Sequence, residues 1–208
     1  MKGRFIVLTG IGGSGKSTTM DFLKKNLSPE KFFFTHEPGG DSPFLKEFRR
    51  VFKGSWEPPL NAWEHMLMVE SMRSYHVRNE ILPARSRGLH VVCDRFSEST
   101  WGYQICGQRA DEEVRQMFHV IDKRSRHGQE PDFNIFFEVA LAVAERRHRA
   151  RACSVDFFDE RGRGFQGRVR AGISDHLRFR PHRVVDAEQP PEVLHQEVLA
   201  IITEVCGL

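Results

Sequence analysis

Short apolar runs and longer amphipathic stretches alternate along this chain. Arg4–Thr9, Phe32–Thr35, His90–Cys93, Asn134–Val139 and Arg183–Val185 are brief and nearly continuous in apolar residues, as strands of a parallel sheet covered on both faces are. Between them, Lys16–Leu27, Asn61–Arg85, Asp111–Ser125 and Pro190–Val205 carry helical patterns; the third opens with acids and the last with a proline suited to a first turn. No repeat or low-complexity linker interrupts the alternation. It predicts βαβ units, about five parallel strands and helices on both faces, a doubly wound α/β fold with its ligands at the carboxyl ends of the strands.

Composition narrows the class. With 208 residues, 39% of them hydrophobic, the chain can bury a full core in one domain spanning 1–208. A net charge of +3 from 31 basic and 28 acidic residues does not demand nucleic acid, although it suits an anionic small molecule. No apolar stretch approaches the roughly 20 residues of a membrane span. The start MKGRFIVLTG shows no signal-type cleavage region, so a soluble cytoplasmic protein is expected. Cys93, Cys106, Cys153 and Cys206 form no CxxC pair, and the histidines show no metal spacing; both read as structural.

The chemistry begins after the first strand. Gly10-Ile11-Gly12-Gly13-Ser14-Gly15-Lys16-Ser17, followed by Thr18, fits the phosphate-loop pattern of a glycine, four residues, Gly-Lys and a hydroxyl, in its strand-loop-helix context. Glycines let backbone N–H groups turn inward on a phosphate, and the following helix adds the positive end of its dipole. Lys16 is the candidate for the terminal phosphates of a nucleoside triphosphate and Ser17 for magnesium. At the tip of the third strand, Asp94 is a second candidate for Mg2+, directly or through water, and Arg95 for phosphate charge. No guanine-selecting NKxD segment occurs, which favours a kinase over a GTPase switch.

DRFSESTWGYQ, from Asp94 to Gln104, and FTHEPGG, from Phe34 to Gly40, resemble the DRY–S–AYQ and TREPGG signatures of thymidylate kinases, and the motif order agrees across almost the whole chain. The resemblance implies a P-loop NTPase-type fold, transfer of a phosphoryl group from ATP to dTMP with magnesium, and a homodimer. It places Glu37, Pro38 and Gly39 in the turn beside the acceptor, and Arg49 on the acceptor phosphate. A planar guanidinium suits that last role, and Arg50, next to it on a helix, should face elsewhere. Arg73 falls where the family reaches a base carbonyl. Ser99, Tyr103 and Gln104 match the family positions that close around base and sugar.

The arginine-dense stretch from Glu145 to Gly172 resembles the family's lid, at about 145–165, and makes Arg147, Arg149 and Arg151 candidates for the catalytic arginine. Asp156, Asp159 and Phe165 keep the lid spacing. Four departures touch the acceptor side: Gly12 where an acid is usual, Val69 where an aromatic ring is usual, Phe157 in place of a lid arginine, and His36 in place of the arginine before EPGG. Gly12 and Val69 keep open a same-fold kinase for dUMP, dCMP or a 5-substituted deoxypyrimidine monophosphate. A second alternative is a nucleotide-binding regulatory or nucleic-acid-binding protein without turnover.

Overall fold

Five strands, β1 (Phe5–Thr9), β2 (Phe32–His36), β3 (His90–Asp94), β4 (Phe133–Glu138) and β5 (His182–Asp186), form one sheet in the order β2-β3-β1-β4-β5, with every pair parallel. The computed structural model describes residues 2–150, Phe158 and residues 161–208; Arg151, Cys153, Asp156, Phe157 and Asp159 lie outside the described residues. The central strand β1 buries all five residues, which is why its sequence is an unbroken apolar run rather than an alternation. The chain leaves β1 towards β2 and leaves β3 towards β4. These opposite departures from neighbouring strands create the crevice in which doubly wound sheets bind ligands.

The described helices are α1 (Lys16–Asn26), α2 (Pro43–Lys53), α3 (Ala62–His76), α4 (Leu82–Ser86), α5 (Ser97–Thr100), α6 (Glu112–Ser125), α7 (Leu141–Ala150), α8 (Gly162–Leu177) and α9 (Pro191–Cys206). Local chemistry sets several starts. Ser42 caps α2 ahead of Pro43, Asp111 caps α6, and Asn61 and Glu64 close a reciprocal capping box on α3. The helix predicted over Asn61–Arg85 is present, running from α3 through a π-helical turn at Val77–Ile81 into α4. A second π-helical segment, Trp101–Gly107, continues α5.

α8, within the arginine-dense stretch, packs through an apolar stripe. Phe165, Val169, Ile173 and Leu177 recur every fourth residue and are buried. Arginines at the intervening positions mask this stripe in the sequence. α8 lies unusually close to the Trp101–Gly107 segment: a Cβ on Gly102 would fall 2.7 Å from Ile173 Cγ1, and one on Gly172 2.7 Å from Cys106 Sγ. Among the described residues, no helix is long and apolar enough to cross a membrane.

His176 on α8 stacks on Trp101 at 5.8 Å between centroids and meets Phe118 edge-on at 6.0 Å, with Nε2 buried and unpartnered. Burial, reinforced by the Arg180 charge, pushes its pKa down to about 3. The unfolded chain therefore takes up this proton near pH 6.5, whereas the fold refuses it until about 3. Stability contributed by the neutral ring is lost as pH falls through that window, by up to about 1.4 kcal/mol per pH unit. His176→Phe, which keeps a ring in the cluster, is expected to flatten the acid limb of unfolding free energy measured in urea. Parallel curves for the two proteins would exclude His176 as its source.

Candidate active site

The loop after β1 is shaped by its glycines. Gly13 (φ 77°) and Gly15 (φ 88°) are left-handed, and a Cβ on Gly13 would lie 2.4 Å from Ala144 O, so α7 rests directly on the loop. Gly15 is the N-cap of α1, without a side-chain cap and with no acid in the first turn. The N–H groups at this helix start therefore keep their capacity for an anion, in the positive field of the dipole. Lys16 is buried, and its ammonium donates to Gly10 O (2.9 Å), Ile11 O (3.0 Å) and Ser14 Oγ (3.0 Å). Ser17 is exposed beside it, and Thr18 Oγ1 donates to Gly15 O at 2.9 Å.

At the end of β3, Arg95 adopts φ 72°, a conformation worth about 1–3 kcal/mol of strain in a bulky residue. Its backbone N–H donates to Leu8 O at 2.8 Å, its guanidinium lies 4.8 Å from the Tyr103 ring centroid, and Nη1 donates to Gly10 O at 3.0 Å. Asp94 Oδ1 is buried with no hydrogen-bond partner. A desolvated carboxylate oxygen left unpaired beside the phosphate loop fits a hard divalent cation with oxygen ligands, such as magnesium.

The side of the site where the resemblance places an acceptor is assembled from more distant segments. Arg49 on α2 reaches the turn after β2, donating to Pro38 O, while Arg50 faces outward and pairs with Glu47. Burial first, and then the Arg49 charge, hold the His36 imidazole below its usual range. Arg73 on α3 is 1% exposed and donates through Nε to Glu37 (2.9 Å), through Nη1 to Glu70 and Asp122 (3.1 Å), and through Nη2 to Thr100 (2.7 Å). Of its five N–H groups, one on Nη2 remains without a described protein partner. Burial alone would lower the Arg73 pKa, but Glu37, Glu70 and Asp122 raise it instead. Burial pushes the Glu70 carboxyl up to about 7 against the pull of Arg73, with Asp122 adding to the rise.

Residues from both sides line one cavity of about 330 Å³. Of the sequence-predicted residues it gathers Gly12 to Ser17, Glu37, Pro38, Arg49, Val69, Arg73, Asp94, Arg95, Ser99, Tyr103 and Gln104. Gly10, Ile11, Thr18 and Gly39 stand off its wall. Arg147 and Arg149 are not part of the wall either: Arg147 Nη1 donates to Ala187 O at 2.6 Å, and Arg149 pairs with Glu145. The wall also holds Phe52, Lys53, Phe96, Thr100, His148 and Phe158, which sequence reasoning missed. Phe52 and Lys53 follow Arg49 by three and four residues on one helix, a spacing that would have found them. His148 hides among arginines, and no local signal marks Phe158.

The sequence profile of the family described as thymidylate kinase matches residues 8–198 of the chain. The thymidylate kinase of Teredinibacter turnerae is 34% identical over 194 residues, covering 91% of this chain and 92% of the relative. That of Pseudomonas savastanoi is 31% identical over 194 residues, covering 91% and 90%. That of Alcanivorax borkumensis is 32% identical over 208 residues, covering 98% of each.

The carboxylates around Arg73 depend on its charge. Arg73→Met keeps the volume but removes the cation shared by Glu37, Glu70 and Asp122, leaving Arg126 as a guanidinium on Asp122 at 2.9 Å, and should cost about 3–5 kcal/mol in urea unfolding. A loss below about 1 kcal/mol would mean that Arg126 and water satisfy the acids unaided.

Proposed function

The chain belongs to the thymidylate kinase family, and from that premise we propose that it transfers the γ-phosphoryl group of ATP to dTMP, giving ADP and dTDP. The observation that carries this reading is the opening of the phosphate loop and the Asp94–Arg95 pair into the same cavity as the acceptor-side residues. Donor and acceptor phosphates would meet in that one cavity.

In the proposed mechanism, the loop N–H groups and the start of α1 hold the donor phosphates, and Lys16 exchanges its loop carbonyls for their oxygens. Arg49 holds the acceptor phosphate. Arg95, fixed between Gly10 and Tyr103, neutralises charge on both. An acceptor phosphate oxygen attacks the γ-phosphorus in line, the bond to the β,γ-bridging oxygen breaks, and ADP leaves with that electron pair. The attacking oxygen is already anionic, so no general base is required. Ser17 and Asp94 are the residues that would hold Mg2+, which when bound supplies charge neutralisation and phosphate orientation. The base is proposed to lie between Val69 and the aromatic side chains of the cavity, with Ser99, Tyr103 and Gln104 towards the sugar. The remaining N–H on Arg73 Nη2 is available to a base carbonyl.

We further propose that residues 1–208 act as one catalytic domain in the cytoplasm and as a homodimer. Exposed Leu67 on α3, with Met117 and Val120 on the neighbouring α6, supports such a contact. The kinase for another pyrimidine deoxynucleotide remains the second reading, favoured by the missing side chain at Gly12 and the small one at Val69.

ADP release with MgATP, measured against dTMP, dUMP, dCMP, dGMP, UMP and 5-hydroxymethyl-dUMP with a no-acceptor blank, should give the highest kcat/KM for dTMP. A different winner transfers the reading to that monophosphate, and no acceptor above the blank refutes both. Lys16→Ala and Arg95→Ala should each lower kcat at least about 100-fold with Tm preserved. Near-normal turnover in either variant would remove that residue from the mechanism.

A further inference from the structure

α7 carries the run Arg146-Arg147-His148-Arg149, and the member of this run that lines the catalytic cavity is the histidine. The helix phase explains why. Ala144 is the residue of α7 that Gly13 admits to close contact, fixing which face of α7 meets the phosphate loop. One turn further on, at i+4, the same face presents His148. Arg147, one position back, is turned to Ala187 O at the end of β5. Arg149, one position on, is paired with Glu145, which also accepts from Arg163 at 2.6 Å.

His148 shares the wall of the 330 Å³ cavity with Lys16, Ser17, Asp94 and Arg95. It also borders a second cavity of about 220 Å³, whose walls include Ile11, Leu141 and Ala144 together with Glu145 and Arg149. Gly12 lines both cavities too and contributes no side chain, so of the residues common to both walls it is His148 that supplies one.

Resting on the phosphoryl-transfer reading above, we propose that His148 is a catalytic residue. An imidazole N–H donates a hydrogen bond to a non-bridging oxygen of the phosphoryl group in transfer, on the β4 side of the loop, opposite Arg95 on the β3 side. It keeps its proton throughout, and the bonds made and broken at phosphorus are those already described. Charge spreads over the equatorial oxygens as the transfer proceeds, so a donor placed there strengthens in the transition state and acts on kcat rather than on ground-state affinity.

The test compares wild type, His148→Ala and His148→Gln under saturating MgATP, varying dTMP or whichever acceptor the wild type prefers, with and without added imidazole. His148→Ala is expected to lose about 100-fold in kcat with KM for the acceptor within about threefold. Imidazole should restore part of the loss in His148→Ala and none in wild type, and His148→Gln, which retains an N–H donor, should lose less. Tm is read for each variant; if His148→Ala does not fold, the kcat of His148→Gln, expected below wild type at unchanged KM, decides. A kcat within about twofold of wild type, a change confined to KM, or a loss that imidazole does not touch overturns the assignment and leaves the kinase reading intact. A wild-type protein inert towards every acceptor overturns both.

Discussion

A guanidinium taken out of water must find anions, and Arg73 finds three. Glu37 ends the β2 side of the cavity, Glu70 lies one turn before Arg73 on α3, and Asp122 comes from α6, so one cation joins three separate parts of the chain. Phe96 covers the guanidinium face at 4.9 Å, and Thr100 takes a donor from Nη2. The network then spreads: Asp122 accepts from Ser97 (2.5 Å) and pairs with Arg126 (2.9 Å), while His76 links Glu37 to Thr35. Burial first, with Asp122 and Glu37 adding to it, pushes Glu70 towards neutrality against the pull of Arg73. Such a set has few alternative arrangements, since a shift of any one element strands a buried charge.

The two halves of the site are consequently built by different means. The donor half is backbone chemistry from consecutive residues, with glycine conformations and a helix start that need little from the rest of the fold. The acceptor half is made of side chains delivered by α2, α3, β3 and α5 and held in place by the Arg73 network. This difference bears on Val69. An aliphatic residue there still leaves aromatic surface on the cavity wall, including Phe52 and Phe158, whose rings stack at 5.6 Å, with Phe165 continuing the stack behind Phe158 at 6.2 Å. Apolar contact for a base therefore remains available after a change at one wall, whereas the phosphate loop could not tolerate a side chain at Gly13.

The same division decides how much was legible in the sequence. The phosphate loop and Asp94–Arg95 were, because each is a contiguous motif at a strand end and each lies where it was expected. The sheet was legible to within one or two residues per strand because parallel strands advertise themselves as apolar runs. α8 was not, since its four-residue apolar stripe is diluted by arginines that face away from the core. The phase of α7 was not legible either: it depends on the contact between Ala144 and Gly13, residues 131 positions apart by subtraction of their numbers. Alternating arginines suggested cations aimed at phosphate, but that tertiary contact turns the face between them, with His148, into the cavity. Arg73 was located correctly on the wall, yet its principal partners include Asp122, 49 residues away, and pairing at that range leaves no trace in composition or spacing.

Arg95 and Lys16 illustrate how unequal two cations proposed to bind phosphate can be in the protein alone. The backbone of Arg95 extends the β1–β3 ladder by one bond, to Leu8, and Glu37 extends the β2–β3 ladder in the same way, to Asp94 O at 2.9 Å. The positive φ then turns the side chain back over Tyr103. Its position is thus set by sheet pairing and strain, so little further ordering is needed when a phosphate binds. The Lys16 ammonium is instead satisfied by the loop's own carbonyls and must trade them for phosphate oxygens. That exchange replaces neutral acceptors with charged ones, which favours binding, and releases Gly10 and Ile11 carbonyls that need new partners. Gly10 O already accepts from Arg95 Nη1 as well, so one of the two carbonyls stays bonded after the lysine leaves. The fixed arginine thereby lowers the cost of moving the lysine, and donor and acceptor sides are coupled through a single backbone oxygen.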